Sequence, residues 1–151
     1  MQPPEPTEPQ GAKITRQTRL TFDPDASTLG IAETVEDLRL PLTQKDEFAL
    51  SYAIEELVFN ALRATNEAER DEAVIAEIAE DGSHVRVCVT DSAGGFDLSR
   101  LPYDFDADPQ EVDIASPKFD KYRERYDDQR FGLGLLTVRG MVEDFSLAFI
   151  D

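Results

Sequence analysis

One long amphipathic helix, predicted from Thr43 to about Thr65, constrains the fold of this chain more than any other stretch. Thr43 is followed three residues later by Asp46, which resembles a capping box with Asp in the place of Glu. Apolar residues then recur at helical spacing: Leu50, Ile54, Leu57, Ala61 and Leu62. A stripe of this kind docks a helix into a hydrophobic core, so the other elements are expected to pack against it.

A second face of the same helix carries Glu56 and Asn60. Residues four apart lie one above the other on a helix, so the carboxylate and the amide share a face. Ala49 and Ala53 continue this face toward the N-terminus and leave room for a ligand. An exposed polar flank of an amphipathic helix would carry the same two residues, so other parts of the chain must decide between the two interpretations.

Several segments have the pattern of β-strands. Lys13–Phe22 alternates apolar and charged residues, which predicts a half-buried strand at a sheet edge. Asp81-Gly82 is a hairpin signal between strands predicted at 73–79 and 84–90, and a last strand is predicted at 145–150. The fold class expected from these elements is α/β, as an α+β two-layer sandwich. Its sheet is mixed and mostly antiparallel, with the helices on one face.

Two further helices flank this plan. Ser27 is a candidate N-cap for a segment of near-helical apolar spacing from Leu29 to Leu40, which Pro41 ends. A helix is predicted from Leu135 to about Glu143.

The stretch from residue 98 to 130 has no steady period, apart from a short helix expected near Asp120–Asp128. Long connections in compact domains are typical of lids and binding loops. Residues 1–11 are rich in proline and glutamate and predict a disordered tail, which leaves 12–151 as the expected domain.

Composition excludes several classes of function. The 32 acidic and 15 basic residues give a formal net charge of -17, which repels phosphate backbones and anionic membranes. Nucleic acid and membrane are therefore not expected partners, and no apolar run approaches the roughly 20 residues that span a bilayer. The N-terminus has no signal-peptide pattern. A single cysteine fits a reducing compartment, so a cytoplasmic location is expected.

Cys88 is the one thiol of the chain and His84 the one imidazole, so a closed zinc site is excluded. In the predicted strand 84–90 the valines point one way, and Arg86, Cys88 and Thr90 point the other way. We expect Cys88 to be a small packed residue rather than a reactive thiol.

Two glycine-bearing turns supply the residues that a ligand needs. Gly94-Gly95 directly follows a strand that ends beside Asp91, whose carboxylate can accept hydrogen bonds from an exocyclic amine. Gly132 and Gly134 directly precede a helix, where free backbone N–H groups and the positive end of the helix dipole suit a phosphate. Each turn alone has low specificity, because turns contain glycine for many reasons.

The order of these pieces resembles the ATP-binding fold shared by gyrases, heat-shock chaperones, histidine kinases and mismatch-repair proteins. Glu56-Leu-Val-Phe-Asn60-Ala61 looks like the N box of that superfamily. Asp91-Ser-Ala-Gly-Gly95 looks like its first glycine box, and Phe131-Gly-Leu-Gly134 like its second. The resemblance covers roughly residues 13–150. With one strand and one helix before the N box, the chain is most similar to bacterial anti-sigma factor serine kinases.

The resemblance implies a role for each matched residue. Asn60 would bind Mg²⁺ through its side-chain oxygen, alongside phosphate oxygens of ATP. Glu56 would act as general base, or orient the attacking water or substrate hydroxyl. Asp91 would hold the adenine amino group, and Gly95 would let the backbone pass close to the base.

The resemblance also assigns the phosphate side of the site. Gly132 and Gly134 would form the phosphate loop, and residues 98–130 would be the lid over the nucleotide. Arg130 is a candidate phosphate contact, with a solvated lid charge as the alternative. Arg63, one turn beyond Asn60, has the same two interpretations.

The chain departs from the family pattern at two places. Ala93 stands where the first glycine box has its first glycine, which is tolerable at negative φ and costly at positive φ. The family's sheet usually closes with one more strand after the second-box helix, and the sequence reaches Asp151 before such a strand. The expectation is either a fragment of a longer chain or a sheet with one strand fewer.

Two classes of function follow from the resemblance. The first is an ATP-dependent serine/threonine kinase of the anti-sigma type, transferring the γ-phosphoryl group to a partner protein such as a sigma factor or an anti-sigma antagonist. The alternative is a non-catalytic switch, nucleotide-gated or nucleotide-free, that sequesters a partner. Kinase and plain ATPase share the same residues and are not separated by them. A homodimer is a further expectation that rests on the family analogy.

Overall fold

The computed structural model describes residues 14–40, 42–95, 101–125 and 134–146. In chain order the elements are β1 (Arg16–Phe22), α1 (Thr28–Glu36), α2 (Gln44–Glu67), β2 (Val74–Glu80), β3 (Val85–Thr90), a 3₁₀ turn (Pro109–Glu111), α3 (Pro117–Arg125) and α4 (Gly134–Met141). Within the described ranges, none of the helices has the length and apolar character needed to cross a membrane.

The sheet has the order β1-β2-β3 in the described part of the chain, and both pairs are antiparallel. β2 alternates strictly, with Val74, Ala76 and Ile78 buried on the face that meets the helices. The hairpin between β2 and β3 turns at Asp81-Gly82, where Gly82 has φ +91°. The predicted α+β class and its mostly antiparallel sheet are confirmed.

Helix α2 lies against β2 and β3 and holds the core together. It begins as predicted, because the Thr43 side chain accepts a hydrogen bond from the Asp46 backbone N–H at 3.2 Å. Ile54 and Val58 are fully buried at its centre. Twelve buried residues form the main core: Phe22, Ile31, Val35, Leu38, Leu40, Ile54, Val58, Ala61, Leu62, Val74, Ala76 and Ile78.

Helix α1 is shorter than the sequence predicts. Ser27 is its N-cap, accepting from the Gly30 N–H at 3.0 Å, but the helix ends at Glu36 instead of Leu40. Leu38 and Leu40 are nevertheless buried in the main core from a segment outside the helix. The apolar spacing predicted four more helical residues because it reports which residues are buried, and not the backbone conformation.

The prediction for Cys88 is wrong. The valines of β3 pack toward the main core, while Arg86, Cys88 and Thr90 are exposed on the other face of the sheet. The predicted alternation of β3 is confirmed. Among the described residues, however, nothing covers the β3 side chains on the second face of the sheet. A thiol on that face meets solvent.

The connection between β3 and α4 has structure of its own. Helix α3 runs from Pro117 to Arg125, earlier than the helix expected near Asp120–Asp128, and a 3₁₀ turn precedes it. Tyr103, Phe119 and Leu136 form a second buried cluster, with Leu101 and Val112 packed against it. We call this second cluster the lid cluster and residues 101–125 the lid segment.

Several predictions fall outside the described residues. These are the tail at 1–11, Arg130, Gly132 and most of the last strand. Of that strand only Phe145 and Ser146 are described, and neither lies in a strand. The domain boundaries, 12–151, stay a prediction.

Candidate functional site

Helix α2 places Glu56 and Asn60 on one flank, one turn apart, as the sequence predicts. Both side chains are half-buried. The opposite side of α2 carries Ile54 and Val58 into the main core, where both are inaccessible to solvent. The carboxylate and the amide therefore stand on a helix whose other side is buried in the main core.

Gly134, the first residue of α4, lies directly against this pair. A Cβ built on Gly134 would stand 2.9 Å from Glu56 Oε2, 3.3 Å from Asn60 Nδ2 and 3.9 Å from Asn60 Oδ1. Contacts under 3.0 Å are closer than a Cβ makes to its neighbours, so any side chain here would displace Glu56. Absence of a side chain thus brings the N-terminus of α4, with its free N–H groups and positive dipole end, next to the carboxylate and the amide.

The turn after β3 has the geometry of a glycine-dependent loop. Gly94 and Gly95 have φ +88° and +86°, the left-handed region that favours glycine. Ala93 is not among the non-glycine residues with positive φ, of which Glu69 is the only one in the described part of the chain. Alanine in place of the family's first glycine therefore costs no backbone strain. The Ala93 N–H donates to Asp91 Oδ1 at 2.8 Å, which ties the carboxylate to its own turn.

Two neighbours on α2 act on Glu56 and Asn60. Tyr52, one turn before Glu56, has its pKa raised by burial, then by the charge of Glu56 and by its hydrogen bond to that carboxylate. The hydroxyl therefore stays protonated and remains a donor to Glu56. Arg63 donates from Nη1 to Asn60 Oδ1 at 3.4 Å. Tyr52 was not predicted from the sequence, although its spacing of four from Glu56 is the same signal that paired Glu56 with Asn60.

Negative charge accumulates around the same flank. The pKa of Glu55 is raised by burial, then by the charges of Glu36 and Glu56. Concentrated carboxylates favour a cation nearby and disfavour a bare phosphate, so an anionic ligand here needs a counter-cation.

A comparison with protein-family models decides the family. Residues 21–148 match the model of the histidine kinase-like ATPase domain, which spans every element from the end of β1 through α4. The chain belongs to that family. Membership supports ATP binding and confirms the superfamily named from the N box and the glycine boxes. Comparisons with curated proteins and with solved structures found no match.

The structure places the described site residues of this ATPase-family chain in two groups. Glu56, Asn60 and Gly134 are brought together. Asp91 is exposed at the end of β3, in the turn that carries Gly95. Arg130 and Gly132 lie outside the described residues, so their roles stay predictions.

The residues at the α2–α4 junction fit a nucleotide-bound Mg²⁺. No group of three or more His, Cys, Asp or Glu side chains that could hold a metal occurs among the described residues. Mg²⁺ needs no such cage, since it keeps several waters and takes one or two protein oxygens together with phosphate oxygens. Asn60 Oδ1 offers one hard oxygen, and at Gly134 the first residue of α4 approaches it without a side chain. Asn60 would hold the ion, which would supply charge neutralisation to the phosphates.

Proposed function

We propose that this ATPase-family chain binds Mg²⁺–ATP and transfers the γ-phosphoryl group to a serine or threonine hydroxyl of a partner protein. The acceptor oxygen forms a bond to the γ-phosphorus while the bond to the β–γ bridging oxygen breaks. ADP leaves with that oxygen, and the acceptor's proton passes to the Glu56 carboxylate. Phosphoryl transfer depends mainly on positioning and charge stabilisation, to which Glu56 would contribute as base and Asn60 as metal ligand.

The observation that carries the proposal is the convergence of Glu56, Asn60 and Gly134. Two of these residues lie on α2 and the third begins α4, yet Gly134 lies so close to both side chains that an added Cβ would stand 2.9 Å from Glu56 Oε2 and 3.3 Å from Asn60 Nδ2. A merely solvated helix flank requires no glycine opposite it. Tyr52 supports the role of Glu56, because a donor one turn away holds the carboxylate in a fixed orientation.

The anti-sigma type of partner rests on the layout of the domain. β1 and α1 precede α2, which is the arrangement on which the likeness to anti-sigma serine kinases depends. The proposed partner is a sigma factor or an anti-sigma antagonist in the cytoplasm, and its surface decides which hydroxyl reaches the phosphate. A homodimer of this chain is the companion proposal, tested by its mass in solution.

Replacing Glu56 by glutamine tests the catalytic assignment. E56Q keeps the shape of the side chain but cannot accept the proton, so we expect ATP affinity within about threefold of wild type. Turnover of γ-labelled ATP should fall by about a hundredfold or more. Glu55→Gln is the matched control, since it removes the same charge from the adjacent half-buried position and should keep turnover. Full turnover by E56Q would remove Glu56 as the base.

One observation favours the non-catalytic alternative, a switch that sequesters its partner. Asn60 Oδ1, the proposed metal-binding atom, accepts a hydrogen bond from the Arg63 guanidinium. An amide held by a cation is less available to a second cation. Nucleotide binding without any release or transfer of labelled phosphate would select the switch, and labelled phosphate on a partner serine or threonine would select the kinase.

A further inference from the structure

Arg139 of α4 reaches across to the lid segment. Its Nη2 donates to the backbone carbonyl of Ala107, 32 residues earlier in the chain, at 2.9 Å. The guanidinium carbon lies 5.0 Å from the ring centre of Phe105, within the range of a cation–π contact. The Phe105 ring in turn meets Phe145, beyond the end of α4, at 5.9 Å between centroids. One side chain thus joins α4 to the lid segment by two different interactions.

A second attachment is apolar. Tyr103 and Phe119 stack with their rings 6.1 Å apart, and Leu136 of α4 completes their buried cluster. Leu136 and Arg139 are three residues apart, so they lie on the same face of α4. That face of the helix is therefore a platform for the lid segment.

The two attachments differ in strength. Leu136 and Phe119 remove apolar surface from water, and the polar atom that their cluster buries without a hydrogen-bond partner among the described residues is the neutral hydroxyl of Tyr103. Arg139 instead has Nη1 buried with no hydrogen-bond partner among the described residues. A buried charged donor without a partner opposes the gain from the bond to Ala107, so the polar attachment is the one that releases more readily.

The other end of the same helix belongs to the candidate site. Gly134 touches Glu56 and Asn60, and Arg139 follows about 7.5 Å along the axis of α4. A hydrogen-bonded helix of this length moves as a rigid body. A displacement of its N-terminus by a ligand is therefore passed to the residues that hold the lid segment.

We propose that Arg139 is a positioning residue that ties the lid segment to α4, so that occupation of the site at Gly134 changes how firmly the lid segment is held. The tie itself is a property of the nucleotide-free protein. Its response to ligand rests on the proposed function, because it requires Mg²⁺–ATP to bind beside Gly134.

Amide hydrogen exchange of the full chain without nucleotide tests the tie. In Arg139→Met the guanidinium is lost and the length of the side chain is kept. We expect peptides within 101–125 to exchange about tenfold faster than in wild type, as for loss of a hydrogen bond to a charged donor. Peptides from β2 and α2 should keep their exchange rates. Arg86→Met, an exposed arginine on β3, removes the same charge and should leave 101–125 unchanged.

Unchanged exchange in 101–125 of R139M would overturn the tie. Should R139M fail to fold, R139K serves instead, because lysine keeps the charge but not the planar fork that spans a carbonyl and a ring. Faster exchange confined to 101–125 in R139K supports the proposal, and exchange equal to wild type overturns it.

A second arm adds saturating Mg²⁺–ATP. Protection of 101–125 should rise in wild type and rise several-fold less in R139M, while an equal rise in both would overturn the coupling. Absence of nucleotide binding by folded wild type, measured by calorimetry, would instead contradict the proposed function and leave the nucleotide-free result on Arg139 standing. The two failures are therefore distinguishable.

Discussion

The main core and the lid cluster are built on different physical terms. The main core joins three strands and two helices through aliphatic side chains, and Ile54, Val58 and Ile78 are completely buried in it. Among the described residues, the lid cluster has three buried members, two of them aromatic, and its Tyr103 hydroxyl is buried without a hydrogen-bond partner. Arg139, which holds the same segment, leaves its Nη1 buried without a partner among those residues. We expect the main core to open only on global unfolding and the lid cluster to open locally.

This difference separates the element that carries Glu56 and Asn60 from the segment at 101–125. Glu56 and Asn60 stand on α2, which belongs to the main core. Helix α4 packs against α2 and carries Leu136 into the lid cluster. A segment that is held less firmly than α2 can close over a ligand without disturbing Glu56 and Asn60.

The largest effect should come from the main core. Ile54→Ala removes a fully buried side chain and should lower the free energy of unfolding by about 3 kcal/mol in urea denaturation. Phe119→Ala should lower it less and act mainly on exchange within 101–125, because its cluster opens separately. Leu29→Ala, 69% exposed on α1, is the control and should stay within about 0.5 kcal/mol of wild type. Equal losses for I54A and F119A would show that the two regions unfold as one.

The next effect concerns the junction between the regions. Gly134→Ala puts a Cβ 2.9 Å from Glu56 Oε2, so the carboxylate must move, and Mg²⁺–ATP affinity should fall by about tenfold. Gly140→Ala is the matched control on the same helix, where the nearest atom is Pro109 Cβ at 4.0 Å. G140A should raise stability by about 0.4–1 kcal/mol and leave affinity unchanged. Calorimetry and urea denaturation measure both, and unchanged affinity in G134A would separate Gly134 from the site.

A smaller effect is expected in the lid cluster. Tyr103→Phe deletes a buried hydroxyl that has no partner among the described residues, so stability at neutral pH should be unchanged or higher by up to about 1 kcal/mol. A loss of stability of more than about 1 kcal/mol in Y103F would mean that the hydroxyl makes a hydrogen bond in solution.

The same variant tests a pH dependence. Burial raises the pKa of Tyr103 to about 12, against 10.0 for the ordinary side chain, with Arg139 opposing the rise and Tyr122 adding to it. The folded state holds the proton more tightly, so this contribution to stability is complete below pH 10.0 and is lost as the pH rises toward about 12. Urea midpoints measured from neutral to alkaline pH should fall less steeply for Y103F than for wild type. Parallel curves would contradict the assignment.

Most of the main core could be predicted from the sequence. The 3.6-residue spacing of α2 and the two-residue alternation of β2 and β3 both report burial directly. Glu56 and Asn60 were found in the same way, because their partnership is set by spacing along one helix. The end of α1 was not predicted correctly, because Leu38 and Leu40 are buried without being helical.

The contacts that hold the lid segment could not be predicted from periodicity. The contacts of Arg139 with Ala107 and Phe105 join residues about thirty positions apart, and no period in the sequence links them. Ala93 illustrates a second limit, because the sign of its φ decides whether alanine is acceptable and only the folded turn reveals it. The exposure of Cys88 depends on what covers the second face of the sheet, which alternation along one strand does not report.

The central claim is that Asn60, backed by Glu56 and Gly134, is the metal-binding residue of a nucleotide site. Calorimetric titration of wild type and Asn60→Ala with ATP, with and without Mg²⁺, tests it most directly. We predict that wild type binds ATP with micromolar affinity and that this binding weakens without Mg²⁺. A folded N60A sample should lose the Mg²⁺-dependent part of the affinity. Equal affinity of wild type and N60A for Mg²⁺–ATP would contradict it.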